Sequence, residues 1–505
     1  MNRIEEKIII YKEKILCLLM SIFFSTVLFG YSNLIFIKEN IGTQLFRFTA
    51  FLCCCVVILA LLFCVIKKKV IFMCVVLVLM ASIYYIKLPV GSGADEANHF
   101  YRAYEIASGD LLSKHVDEGS AGGNILPVAL TDYENKEAEI DETQLMEISF
   151  PNTALYAPVA YLPQAIAIKI AGEVTDNVYT IFMAGRMGAM LINIALSCWA
   201  LFKMPFAREI LFLIMMFPMN MQEMIVMSSD GWTMAVISVF LAYILRLGYK
   251  ENFSKKEMII LFLLGLSIAL SKIVYIIVCL AIFMIPGELF KNRKKENLFK
   301  CGFVVAVVVV NLLWLCISYG YMTEFNPGVD STEQIKYVLQ SIPEFYLTSI
   351  RTIFANGAFW IQSMFGSSLG ALDIPTNWSV WVVYLILIVA AVSGYQLQGK
   401  LKLRDNIICL LIFFGGAALI FASLYVQWTA YKNPIIDGIQ GRYFIPLLMF
   451  LFIPLMSFNG PRINVVLDKN FENEVSKMGI LTAFIPIGLN CIALIDIVNF
   501  TLQNL

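Results

Sequence analysis

Blocks of about twenty apolar residues, repeated along the chain, constrain this sequence more than any other feature. A bilayer core of about 30 Å is crossed by a helix of about 20 apolar residues. The blocks that meet or approach this length are 15–37, 46–66, 70–88, 179–202, 208–226, 231–247, 257–271, 273–286, 301–321, 379–396, 405–426, 443–457 and 478–499. They predict an all-α polytopic membrane protein of about thirteen transmembrane helices. Of the 505 residues, 59% are hydrophobic and only 15% charged, whereas soluble chains are about 25% charged. Lys plus Arg balance Asp plus Glu at 37 each, which argues against a nucleic-acid partner. The twelve cysteines lie in or beside apolar blocks. They are expected to be packing residues, without the loop spacing of a disulfide framework or a zinc site.

Charge placement orients the chain. With a cytoplasmic N-terminus and alternating spans, one side receives Lys67 to Lys69, Lys203 with Arg208, and Arg246 to Lys256. The same side receives Lys291 to Lys300, Lys400 to Arg404, and Arg462, Lys469 and Lys477. The positive-inside rule makes that side cytoplasmic. Two long segments then fall outside. Segment 89–178 carries thirteen acidic residues between Val90 and Thr153 against Arg102, Lys114 and Lys136. Within it, 154–173 contains Pro158, Pro163, Gln164 and Lys169 and is expected to be a helix in the outer interface. The second segment, 322–378, is expected to form short helices at the membrane surface. Without internal repeats or linkers, 1–505 is expected to be a single membrane domain.

Chemistry-capable residues gather on that outer side. Asp95-Glu96 begins a run ending His99-Phe100-Tyr101-Arg102, soon after a span. Paired carboxylates beside a cation suit a general base, a substrate clamp or a divalent cation site, although no metal is expected to bind tightly. In a helix Asp95, His99 and Arg102 share one face, but a charged helix start is the plainer explanation. Ser228-Ser229-Asp230-Gly231 suits a helix cap as well as a site. Ser271-Lys272 divides an apolar block, so Lys272 either faces an outer cavity or snorkels to the interface. Arg186 lies inside a span, where an arginine needs a phosphate or carboxylate partner. Gln440-Gly441-Arg442-Tyr443 stands at a span's mouth. There Gly441 can bring backbone close to a ligand and Arg442 can grip an anion, or Tyr443 can simply anchor the interface. Charges above apolar spans suit a substrate with an anionic head and a lipid tail.

At these residues the chain resembles a family of bacterial polytopic membrane proteins, the domain of unknown function numbered 2142. The resemblance rests on Asp95 to Gly109, Tyr156 to Gln164, Gly185-Arg186, Ser229-Asp230-Gly231, Ser271-Lys272, Gly366 to Asp373 with Pro375 and Trp378, and Gln440 to Tyr443. That family is similar to the C-type superfamily of membrane glycosyltransferases. The resemblance implies an inverting transferase of a bacterial plasma membrane, acting on its outer face. The donor would be a polyprenyl-phosphate-linked sugar and the acceptor a cell-envelope glycan. It implies Asp95 or Glu96 as the base, with Arg186, Lys272 and Arg442 as candidates for the donor phosphate. His99, Arg102, Asp230, Gln440 and Tyr443 complete the expected substrate site. Two spans precede the one leading into the acidic motif, where many C-type enzymes have none. A transporter or flippase of lipid-linked sugars is the alternative, and a non-catalytic partner in polysaccharide export a third.

Overall fold

Apolar blocks become single long helices wherever no proline or polar cluster interrupts them. The computed structural model describes residues 3–39, 43–116, 121–321, 326–395, 401–458 and 479–504. Lys400, Arg462, Lys469 and Lys477 lie outside the described residues. The chain opens with α1 (Arg3–Glu39), α2 (Thr43–Val65) and α3 (Lys69–Lys87). Segment 89–178 follows, with α4 (Glu96–Ala107), β1 (Lys114–Val116), β2 (Ala121–Pro127), β3 (Leu145–Ser149), α5 (Pro151–Ala154) and α6 (Leu162–Gly172). Next come α7 (Val178–Lys203), α8 (Arg208–Met215), α9 (Pro218–Ile225), α10 (Ser229–Leu247) and α11 (Lys255–Ser271). A 3-10 helix (Ile273–Met284) leads to α12 (Arg293–Ser318), α13 (Ser331–Gln340) and α14 (Ile342–Met364). A two-stranded turn, β4 (Ser368–Leu369) and β5 (Ile374–Pro375), precedes α15 (Trp378–Gly394). The fold ends with α16 (Leu403–Gln427), α17 (Leu448–Phe458) and α18 (Gly479–Gln503).

The chain is thus an all-α polytopic membrane protein. Among the described residues, eight helices are long and apolar enough to cross a membrane: parts or all of α1, α2, α3, α7, α10, α12, α16 and α18. The expected count of thirteen is not reached by that measure. Block 208–226 divides into α8 and α9, with Pro218 in the first turn of α9, where its missing N–H costs nothing; Pro454 and Pro486 instead lie inside α17 and α18. Blocks 379–396 and 443–457 form shorter apolar helices. The spanning windows of α10 and α18 are mostly buried, whereas those of α12, α16 and Lys14–Ile37 of α1 are mostly uncovered. One buried apolar cluster runs from Cys17 of α1 to Val498 of α18.

Three local features position the site. First, α11 and the 3-10 helix pack against each other as a hairpin with Lys272 at its tip. Ser254 starts α11 with a capping box, in which its hydroxyl accepts from the Glu257 amide and the Glu257 carboxylate from the Ser254 amide. The 3-10 form rises about 2.0 Å per residue against about 1.5 Å in an α-helix, so its twelve residues reach further than an α-helix would. Second, 89–178 carries an antiparallel sheet in the order β1-β2-β3, which the helical pattern did not foretell. Third, α6 packs antiparallel along the first half of α7, where the interface reading placed a helix lying flat. A Cβ added at Gly188 would meet the Pro163 carbonyl oxygen at 2.4 Å, and one at Gly185 would meet Ile168 at 3.2 Å. Glycines on α7 give a groove that lets the two backbones touch, and at eleven residues α6 is too short to span.

Candidate functional site

The acidic motif divides its two carboxylates between different tasks. Glu96 is buried and grips Arg186 in a bidentate pair, with Nε donating to Oε1 at 2.7 Å and Nη2 to Oε2 at 2.6 Å. Both side chains are fully buried. Glu96 also accepts from the Gly93 amide at 3.0 Å and the Met227 amide at 3.1 Å. Arg186 donates further to the carbonyls of Leu88 at 3.0 Å and Pro89 at 2.7 Å. Every group in this pair is satisfied, and it ties the end of α3, the start of α4, α7 and the turn before α10 together. Arg186, expected near a donor phosphate, is therefore occupied by Glu96. Four of the five Arg186 donors are engaged in this way.

Asp95 differs. It is exposed, sits at the cap of α4, and holds a left-handed backbone with φ 56°, a region Asp and Asn enter more readily than most residues. Asp95, His99 and Arg102 do not form a cluster. Arg102 is buried, pairs with Glu105, and donates to Ser113 Oγ at 3.2 Å and the Leu111 carbonyl at 2.9 Å. It fastens α4 to the connection leading into β1. His99 turns inward, its Nδ1 lying 2.6 Å from the Tyr161 hydroxyl and its ring parallel to that of Tyr156. Burial above all, with the nearby charge of Lys272, lowers the His99 pKa from 6.5 to about 3, so the ring is neutral. His115 is exposed and lies against the Tyr321 ring.

The remaining charges meet at one place. Asp230, in the first turn of α10, pairs with Lys272 at the hairpin tip. Arg442, at the start of the turn before α17, approaches Asp230 Oδ2 with its Nε at 3.4 Å and Glu223 Oε1 with its Nη1 at 3.4 Å. Glu223, on α9, also accepts from Ser228 Oγ at 3.2 Å. The order of contacts is Lys272, Asp230, Arg442, Glu223, with positive and negative charges alternating. The sequence reading missed Glu223. Its signal was the polar run Asn220-Met221-Gln222-Glu223 just after Pro218 in an otherwise apolar block.

Lys272 also lines a cavity of about 160 Å³. Lys272, Tyr156, Tyr275 and Tyr443 line it with the apolar Leu155, Ile273, Leu315, Ile420 and Leu424, and so do the polar Asn311, Ser318, Ser423 and Gln427. The Lys272 ammonium lies 5.5 Å from the Tyr156 ring centre and 5.3 Å from that of Tyr443, within cation–π range. The Tyr275 hydroxyl donates to the Tyr443 carbonyl at 2.8 Å. Arg442 stands behind Tyr443 and reaches Lys272 through Asp230. Burial pushes up the pKa of Tyr156, and the charge of Lys272 opposes that shift. The cavity runs between α12 and α16, whose other faces leave Val309, Leu312, Leu313, Leu411 and Phe414 uncovered.

Two expected features read differently. Gly441 does not open backbone toward a ligand. A Cβ there would meet the Trp360 carbonyl oxygen at 2.1 Å, so the glycine serves contact with α14. Gln440 is partly covered, and its Oε1 has no hydrogen-bond partner among the described residues. Among the described residues no three His, Cys, Asp or Glu side chains group as metal ligands.

The family model described as "Predicted membrane protein (DUF2142)" matches residues 76–451. The chain belongs to that family. The matched stretch begins inside α3 and ends inside α17, so it takes in every residue of the charge cluster and the acidic motif, while α1, α2 and α18 lie beyond it. No curated protein and no solved structure matches the chain.

Proposed function

We propose that this member of the DUF2142 family is an inverting glycosyltransferase that takes its sugar from a polyprenyl-phosphate carrier and passes it to a cell-envelope glycan on the outer face of a bacterial plasma membrane. The observation that carries the reading is the cavity that Lys272 lines together with several aliphatic side chains. An ammonium above an apolar groove suits a phosphate attached to a hydrocarbon chain. Arg442 lies one carboxylate away and can add a planar donor set to the same phosphate.

In this mechanism the acceptor hydroxyl oxygen attacks the anomeric carbon from the face opposite the phosphate. As the new C–O bond forms, the bond from the anomeric carbon to the phosphate oxygen breaks, and its electron pair leaves with the lipid phosphate. Lys272 and Arg442 stabilise that developing charge. The hydroxyl proton passes to a carboxylate. Glu96 is committed to Arg186, which favours Asp95 as the base. His99, neutral and held by Tyr161, orients the wall beside Tyr156.

Detergent-solubilised protein given a radiolabelled polyprenyl-phosphate sugar tests the reading. Transfer should release polyprenyl phosphate in proportion to glycosylated acceptor, which a transporter or flippase would not do. Arg442→Ala should weaken donor binding, and Arg442→Lys should recover only part, because the bidentate fork is lost. Unchanged donor affinity in Arg442→Ala would remove that role.

A further inference from the structure

Among the described residues three arginines pair with carboxylates in buried surroundings, Arg102 with Glu105, Arg186 with Glu96 and Arg442 with Glu223, and the last two differ most in quality. Arg186 and Glu96 meet through two bonds of 2.6–2.7 Å, and backbone amides and carbonyls complete the set. Arg442 and Glu223 are nearly as buried, at 7% and 1% side-chain exposure. They meet through one long contact of 3.4 Å. The Arg442 Nε has no hydrogen-bond partner, although Asp230 Oδ2 lies 3.4 Å away. The Nε atoms of Arg102 and Arg208 are likewise without a partner, so it is the long contact to Glu223, not the idle donor, that sets Arg442 apart. Glu223, for its part, has other donors at hand. Ser228 Oγ stands 3.2 Å from its Oε2 and Gln222 Nε2 stands 3.5 Å from its Oε1. Gln222 is itself anchored by two bonds with Gly370, at 2.9 and 2.6 Å, so it cannot wander.

The four-membered cluster is neutral, with two cations and two anions. A phosphate arriving at Lys272 adds negative charge to a neutral site and competes with Asp230 for the ammonium. The nearest cation able to receive Asp230 is Arg442, already in reach of it. One guanidinium charge cannot neutralise two carboxylates, so the hold of Glu223 on Arg442 weakens as that of Asp230 grows.

We infer that Glu223 is a displaceable counter-ion that limits affinity for the anionic head group, releasing Arg442 to Asp230 as a phosphate takes Lys272. This rests on the lipid-phosphate reading above and adds to it the residue that sets how tightly the head group is held. Glu223 then returns to Arg442 when the phosphate leaves, which favours product release over trapping. A structural role alone predicts the opposite sign, because removing one partner of a buried pair ordinarily harms the site.

The test is binding of polyprenyl phosphate, with neutral polyprenol as control, to full-length protein in detergent. Glu223→Gln keeps the shape and the neighbours at Ser228 and Gln222 but removes the competing charge. It should bind polyprenyl phosphate about ten-fold or more tightly, the size of one charge-assisted hydrogen bond, with polyprenol affinity unchanged. Glu223→Asp keeps the charge but draws it back by one methylene, and should give a smaller rise. If wild type binds polyprenyl phosphate no better than polyprenol, the donor reading itself fails. If wild type discriminates between them while both variants bind polyprenyl phosphate equally or more weakly than wild type, the counter-ion role is overturned.

Discussion

Asp95 and Glu96 are neighbours in sequence with opposite surroundings, and the contrast yields a sharp expectation. Glu96 and Arg186 are ninety positions apart and fully buried together. Removing either partner leaves an unpaired buried charge, which costs about 3–5 kcal/mol. Arg186→Met should therefore lower the unfolding free energy in detergent by about that much, whereas Asp95→Asn should change it by less than about 0.5 kcal/mol, as for an exposed residue. Asn also tolerates the left-handed backbone that Asp95 adopts. Equal stability of Arg186→Met and wild type would remove the clamp from the account. The sequence showed that an intramembrane arginine needs an anion, but not which one. A carboxylate from the acidic motif and a substrate phosphate satisfy the same chemistry. Glu223 was hidden for a related reason, since its partner Arg442 lies 219 positions away.

Helices were more legible than their packing. The apolar period located α2, α3, α7, α10, α16 and α18 within a few residues, because the bilayer demands unbroken helices of that length. The hairpin of α11 and the 3-10 helix was also foreseeable, since Lys272 interrupts an apolar block that is otherwise continuous. The sheet in 89–178 and the antiparallel seat of α6 on α7 were not, because both depend on close backbone approach. Gly188 carries the latter. Gly188→Ala would set a Cβ 2.4 Å from the Pro163 carbonyl oxygen and 2.8 Å from the Ala167 Cβ. Overpacking of this kind costs about 1–3 kcal/mol, and it should also disturb Tyr161 and Tyr156 at the near end of α6. Gly172→Ala, with nothing within 4 Å of the new atom, is the control. A neutral melting shift in Gly188→Ala would show that α6 does not rely on that groove.

At the scale of the whole molecule, basic residues and the acidic segment occupy opposite ends of the helices. Lys69 starts α3, Lys203 ends α7, Arg246 lies in the last turn of α10, and Lys255 and Arg293 start α11 and α12. Asp95, Asp230, Lys272 and Arg442 lie toward the other ends. If the positive-inside rule governs insertion, a cysteine at exposed Glu137 should react with a membrane-impermeant maleimide in intact cells. Labelling only after lysis would invert the topology and place the cluster in the cytoplasm. Sugar transfer, as proposed, makes Asp95 the base. A general base contributes about 10²–10⁴-fold in rate. The direct measurement is single-turnover transfer from a polyprenyl-phosphate sugar by purified Asp95→Asn, in detergent, where no vectorial transport exists. Donor binding should match that of wild type and transfer should slow by about 10²–10⁴-fold. Transfer by Asp95→Asn at the wild-type rate would contradict it.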